Sequence, residues 1–154
     1  MTKHTDIHIL SLEEALSFIP DEPTYAIRIS SPYDNNTQYP LMESPHYRAV
    51  HHYLFDDMWP GMPEDFYSYL LEEQYKPFTT ETAHQIIDDF SRVVDSIDSL
   101  LVHCQYGLNR SPAVAIALND IFELGEDSAF LKQHYPEYRR FIYKTLLEAG
   151  EEYL

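Results

Sequence analysis

The sequence predicts an α/β fold in one domain, residues 1–154: a central, twisted, mainly parallel sheet with helices on both faces. Three observations lead there. Short runs of β-forming residues alternate with helical patterns along the chain, and that alternation requires crossover connections between parallel strands. The 154 residues, 44% hydrophobic and 14% aromatic, suffice for one core and are too few for two comfortable ones. No repeat, low-complexity tract or linker interrupts them.

Residues 7–10 read as a first short strand. Ser11 is placed as an N-cap, with Glu14 completing a capping box, and a helix through Leu12, Ala15, Leu16 and Ile19 should end before Pro20. Residues 25–29 read as a strand alternating outward and inward. A long polar loop, 31–44, carries Pro32, Asn35, Asn36, Pro40 and two tyrosines, and loops of that length often have a job. A strand over 47–55 is stopped by Asp56-Asp57 and Pro60-Gly61, and 64–75 can form a short helix. Residues 80–97 give the clearest amphipathic helix: Ala83, Ile86, Ile87, Phe90, Val93, Val94 and Ile97 recur at three- and four-residue steps. A short apolar strand at 100–103 follows. The next helix, 111–124, is apolar nearly all round, as a helix in the middle of a domain must be, and Gly125 sits where a left-handed cap belongs. Asp127 caps a further helix. The last spans 137–149, with Tyr138, Phe141, Ile142 and Thr145 on one side and Gly150 ending it.

Composition excludes several function classes. No apolar run reaches the roughly 18 residues of a membrane helix, and the first residues lack the charged-then-apolar pattern of a secretion signal. One cysteine cannot form an internal disulfide, so a reducing cytoplasm is the expected location. A net charge of −16 with only 10 Lys+Arg disfavours nucleic-acid backbones and anionic membranes as partners. The densest basic pair, Arg139-Arg140, reads as the solvent side of the last helix.

The chemistry concentrates around Cys104. His103-Cys104-Gln105-Tyr106-Gly107-Leu108-Asn109-Arg110-Ser111 lies between the 100–103 strand and the 111–124 helix. In a parallel sheet, ligands bind at the carboxyl ends of strands, and both Cys104 and the Asp56-Asp57 pair fall at such ends. Gly107 can supply a positive φ for the tight turn. The loop's N–H groups, from Gln105 to Asn109, can then converge with the unpaired N–H groups and the positive end of the following helix. Pro112 suits that helix's first turn. Arg110 adds a planar fork matched to two oxygens of one phosphate. A thiolate is favoured in so positive a setting, and Ser111 stands ready to hydrogen-bond the sulfur.

This stretch resembles the signature loop, His-Cys-x5-Arg-Ser/Thr, of the cysteine-dependent protein tyrosine phosphatase superfamily. Its Gly-x-Asn-Arg-Ser ending looks most like the dual-specificity branch, and the chain's organisation is similar to that of small bacterial and phage members. The resemblance extends upstream through the helix at 80–97; residues 1–45 carry none of it. It implies a phosphotyrosine phosphatase-like fold. It also implies cleavage of phosphate monoesters, most readily phosphotyrosine, with or without phosphoserine and phosphothreonine, of proteins, or small aryl phosphates. In that chemistry Cys104 attacks phosphorus, Arg110 and the amides of residues 105–110 hold the oxygens, and His103 and Ser111 support the thiolate. No cofactor or metal is expected.

Cleavage also needs a proton on the leaving oxygen, which a carboxylic acid on another loop can give before activating water. Asp56 and Asp57 are the candidates. Residues 53–61 resemble the family's acid loop, in which an aromatic and an acidic residue precede the catalytic aspartate; that maps the acid onto Asp57, with Asp56 second. Asp65, Asp88, Asp89 and Asp95 are less apt, the last three lying on the outer face of their helix. Trp59 either anchors this loop in the core or packs as a lid.

His51 and His52, adjacent on a strand, point to opposite faces and with His46 read as ordinary strand residues rather than metal ligands. Tyr33 and Tyr39 could flank a phenyl phosphate. Two alternatives stay open: the same chemistry on a phosphoinositide, a nucleotide or an RNA 5′ end, and a phosphate-binding module without turnover. The former pockets typically need added cations, which Gln105, Tyr106 and Leu108 do not supply.

Overall fold

The protein's structure, a computed structural model, describes residues 4–32, 38–59 and 76–153. The expectations for Tyr33, Pro60, Gly61, Asp65 and the helix at 64–75 lie outside these residues. Among the described residues four strands form one sheet: β1 (Asp6–Leu10), β2 (Thr24–Ser30), β3 (Tyr47–Leu54) and β4 (Ser99–His103). Their order is β1-β4-β2-β3 and every pairing is parallel. The helices are α1 (Leu12–Ser17), α2 (Thr80–Ser91), α3 (Arg110–Phe122), α4 (Ser128–His134) and α5 (Arg140–Tyr153).

The two faces of the sheet are unequal. Tyr25, Ile27 and Ile29 of β2 and Leu100 and Val102 of β4 point into the large core, where α2, α3 and α5 contribute Ile86, Phe90, Ile116, Leu118, Ile142 and Leu146. Ala26 and Leu101 face the other way, onto Ala15 of α1 with Leu10, Phe18 and Leu41 around them. By the two-residue period of a strand, Arg28 and His103 share this thinner side, and the register sets them directly opposite each other. The α/β class with helices on both faces is as the sequence implies.

Local signals behave as their chemistry requires at several ends. Ser11 caps α1, with its hydroxyl accepting from the Glu14 amide and the Glu14 carboxylate accepting from the Ser11 amide. Thr79 caps α2 and Asp127 caps α4 through their side-chain oxygens.

Several expectations about the elements need correction. β2 does not alternate between inside and outside: all seven of its residues are buried, because a central strand is covered on both faces. α1 stops at Ser17 and leaves Ile19 exposed. The helix expected over 80–97 ends at Ser91, with a separate single 3₁₀ turn at Val94–Ser96. The left-handed residue ending α3 is Glu123 (φ 52°), while Gly125 (φ 107°) packs against His4. Gly150 does not end the last helix. It lies within α5, where a Cβ would come 2.9 Å from Ile121 Cδ1, so its missing side chain lets α5 approach α3.

Candidate active site

β4 delivers His103 to the carboxyl edge of the sheet, and α3 begins seven residues later at Arg110. The intervening loop is seated on the β1–α1 junction. Gln105 O accepts from the Leu12 amide at 3.1 Å. Gly107 takes φ 73° and lies so close that a Cβ there would stand 2.8 Å from both Leu10 C and Ser11 N. The turn therefore needs a glycine twice over, for its torsion and for its neighbours.

Cys104, 3% exposed, lies at the floor of this loop. The Gly107 amide donates to its Sγ at 3.3 Å, and the fully buried Ser111 hydroxyl sits 3.2 Å from the same sulfur. The amide is a fixed donor to the sulfur, while the hydroxyl can donate to it or accept from it. α3 starts at this spot with no side-chain cap on its N-terminus. Among the described residues, the amides of Tyr106, Leu108 and Asn109 donate to no protein acceptor. Unpaired amides around a helix N-terminus form an anion-binding concavity.

Arg110 is 8% exposed and turned into the protein rather than outward. Its Nη1 donates to Phe55 O at 2.9 Å and to Ser31 Oγ at 3.2 Å. Those contacts occupy one nitrogen only. Among the described residues Nε and Nη2 have no protein acceptor, which leaves the side of the fork suited to two oxygens of a tetrahedral anion. The Phe55 contact also ties the 55–57 segment to the signature loop.

The loop residues do not all face inward. Tyr106 and Leu108 are 74% and 50% exposed. The Asn109 side chain turns away, its Nδ2 donating to Glu137 O at 2.8 Å, while the Asn109 backbone carbonyl accepts from the Arg139 amide at 3.0 Å. Asn109 thus braces the loop against the segment leading into α5.

His103 is fully buried. Arg28 Nε donates to its Nε2 at 2.9 Å, so the ring proton must sit on Nδ1, from which it reaches Cys104 O at 3.3 Å. Arg28 Nη2 donates in turn to Tyr39 O at 2.6 Å. Burial pushes the His103 pKa down to about 4; the bond to Cys104 opposes this, and the charges of Arg28 and His52 add to it. Between about pH 6.5 and 4 the unfolded chain therefore binds a proton that the folded chain refuses. His103 should contribute about 3 kcal/mol of stability that is complete above pH 6.5 and lost as the pH falls toward 4. Urea unfolding at pH 7 and pH 4.5 checks this: His103→Gln should lose distinctly less stability than the wild type over that interval, and equal losses would refute it.

The candidate acids are held in different ways. Asp56 is 2% exposed; its Oδ2 accepts from the Lys76 amide at 2.5 Å, and its Oδ1 is buried with no partner among the described residues. Asp57 is half-buried and paired two-pronged with Arg139, Nε to Oδ1 at 2.6 Å and Nη2 to Oδ2 at 2.8 Å. The Arg139 guanidinium also lies 4.0 Å from the centre of the Trp59 ring. Arg139 is thus not a solvent-side helix residue: it precedes α5 and grips the acid segment. Asp89, too, is not on an outer face, since it accepts from Tyr53 Oη at 2.6 Å. His51 and His52 do diverge, His51 meeting Tyr25 Oη at 2.7 Å and His52 meeting Ser30 Oγ at 2.6 Å.

Sequence reading missed Arg28 and Arg139. Arg28 left a trace, a lone charge inside the apolar run Tyr25-Ala26-Ile27-Arg28-Ile29, which an outward-inward reading explained away. Arg139 left none, because its partner is 82 residues distant.

With four parallel strands, a cysteine loop at a strand's carboxyl end and an arginine opening the next helix, the fold is that of the cysteine-dependent protein tyrosine phosphatases. The structure of Tk-PTP in its active form matches with a TM-score of 0.53 at 16% identity, over 94% of this chain and 90% of that one. The structure of PTPMT1 in complex with PI(5)P matches with a TM-score of 0.52 at 14% identity, over 96% and 91%. No family model and no curated protein matches the sequence.

Proposed function

We propose that the protein is a cysteine-dependent phosphatase that hydrolyses phosphate monoesters, with phosphotyrosine in proteins as the favoured substrate class. One observation carries this reading: Cys104 Sγ receives the Gly107 amide and neighbours the Ser111 hydroxyl beneath an uncapped helix N-terminus, with Arg110 alongside. In the reaction Cys104 attacks phosphorus and the P–O bond to the leaving group breaks. Arg110 and the loop amides hold the non-bridging oxygens. Asp57 gives its proton to the departing oxygen, then takes one from the water that cleaves the cysteinyl-phosphate. Ser111 steadies the sulfur as it leaves.

The choice of an aryl phosphate in protein rests on the loop surroundings. Gln105 and Tyr106 line a cleft of about 340 Å³ with Leu12, Leu16, Tyr39, Ser11 and the carboxylate of Glu13, and no cation is among them. PTPMT1 is seen with PI(5)P, so the lipid headgroup is the reading to beat. The specificity test compares kcat/KM for a phosphotyrosine peptide with that for PI(5)P; a larger value for the lipid would reverse the assignment.

The acid role has its own test. Asp57→Ala should slow phenyl phosphate, a poor leaving group, by ~10²-fold or more and para-nitrophenyl phosphate far less. If Asp56→Ala shows that pattern and Asp57→Ala does not, the acid is the neighbouring residue.

A further inference from the structure

Beside the signature loop lies a cavity of about 610 Å³ lined by Trp59, Asn109, Glu137, Tyr138, Arg139 and Arg140, among others. It holds both members of the densest basic pair in a chain of net charge −16. It is joined to the loop through Asn109, which bonds to Glu137 on one side and to the Arg139 amide on the other. One of its guanidiniums already grips a carboxylate: Arg139 takes both oxygens of Asp57 while stacked on Trp59.

We propose that this cavity is a carboxylate subsite for an acidic residue flanking the phosphorylated one, and that its occupation displaces Asp57 from Arg139. The inference rests on the phosphatase reading above and deepens it. Asp57 itself shows which ligand the site is built for, since a flat carboxylate meets the Arg139 fork with two short bonds. An incoming carboxylate can replace it bond for bond. In the paired state both Asp57 oxygens accept from Arg139, so neither is placed to donate a proton to a leaving group. Release by the substrate's own acidic residue frees Asp57 when a substrate is present. Once Asp57 leaves, the lining sets two guanidiniums against the single carboxylate of Glu137. Aromatic walls from Trp59 and Tyr138 suit a peptide more than a polyphosphorylated headgroup, which calls for more cations.

Two phosphotyrosine peptides differing only in one flanking residue, Glu or Gln, test the proposal. The wild type should favour the Glu peptide by about tenfold in kcat/KM, the worth of one charge-assisted pair. Arg139→Met should bring the two peptides within twofold of each other and raise kcat on the Gln peptide severalfold, since Asp57 is no longer held. Trp59, the only tryptophan, supplies a readout that needs no turnover. In Cys104→Ser its fluorescence should respond to the Glu peptide at about tenfold lower concentration than to the Gln peptide, and the double variant with Arg139→Met should lose that difference. If Arg139→Met does not fold, Arg139→Lys, which keeps the charge and loses the two-pronged grip, is read in the same way. A wild type indifferent to the flanking residue overturns the proposal. So does an Arg139 variant that retains the preference, or one that slows both peptides alike. Failure of the wild type to cleave either peptide would instead strike the phosphatase reading, and the fluorescence comparison would still decide the subsite.

Discussion

Cys104→Ser is expected to abolish phosphatase turnover, with a loss of about 10⁴-fold or more, the scale seen when a covalent nucleophile is removed. A serine hydroxyl at neutral pH is not ionised, and among the described residues no base is hydrogen-bonded to the Cys104 sulfur that could take its proton. The nearest groups to the sulfur are an amide donor, Gly107 N at 3.3 Å, and another hydroxyl, Ser111 Oγ at 3.2 Å. His103 cannot assist, because its Nε2 is occupied by Arg28 and its Nδ1 faces the Cys104 carbonyl. Binding should survive the change, since the loop amides and Arg110 are untouched. The measurement is para-nitrophenyl phosphate hydrolysis by both proteins, together with calorimetric titration of a phosphotyrosine peptide into the variant. Equal rates in wild type and variant would leave a phosphate-binding module as the better description.

Gly107→Ala should produce the largest loss of stability among loop substitutions. Its φ of 73° lies in the left-handed region, which costs an alanine about 1 kcal/mol or more. The new methyl would also stand 2.8 Å from Leu10 C and Ser11 N and 3.0 Å from Leu10 O. These are backbone atoms at the end of β1 and the cap of α1, so they cannot rotate aside as a side chain could. The loop must lift from its seat, breaking the Leu12–Gln105 bond and withdrawing the Gly107 amide from the sulfur. Together these effects should cost ~2–4 kcal/mol. For a chain of this size that means a melting temperature lower by roughly 5–15 °C, with a marked fall in phosphate binding. Leu108→Ala, at a half-exposed neighbour, is the control and should melt within a degree or two of wild type. An unchanged Gly107→Ala would mean that the loop does not rest on the β1–α1 junction.

The features legible in the sequence are those whose causes lie within a few residues. The Ser11–Glu14 capping box, the Asp127 cap and the stripe of Ala83, Ile86, Ile87 and Phe90 each rest on contacts one turn apart. The loop from His103 to Ser111 was readable for the same reason, since its glycine, its arginine and the helix behind it lie in one short segment. Gly150 shows where such reading stops. A glycine near a helix end looks like a terminator, whereas here it is the contact point of two helices, determined by Ile121 on another element. β2 makes the same point: whether Arg28 faces solvent or His103 depends on which strand lies beside it.

The sequence by itself determined the α/β class, most of the elements and the glycine-bearing loop from Cys104 to Arg110, because propensity, capping and turn chemistry act locally. Only the tertiary structure decided what that loop touches. Arg28 across the sheet sets the tautomer of His103, Asn109 turns outward to brace Glu137, and Arg139 holds Asp57 across 82 residues of chain. These partners meet because burial of the common core sets the strand order and the helix packing, and no local pattern records which distant side chains that packing brings together.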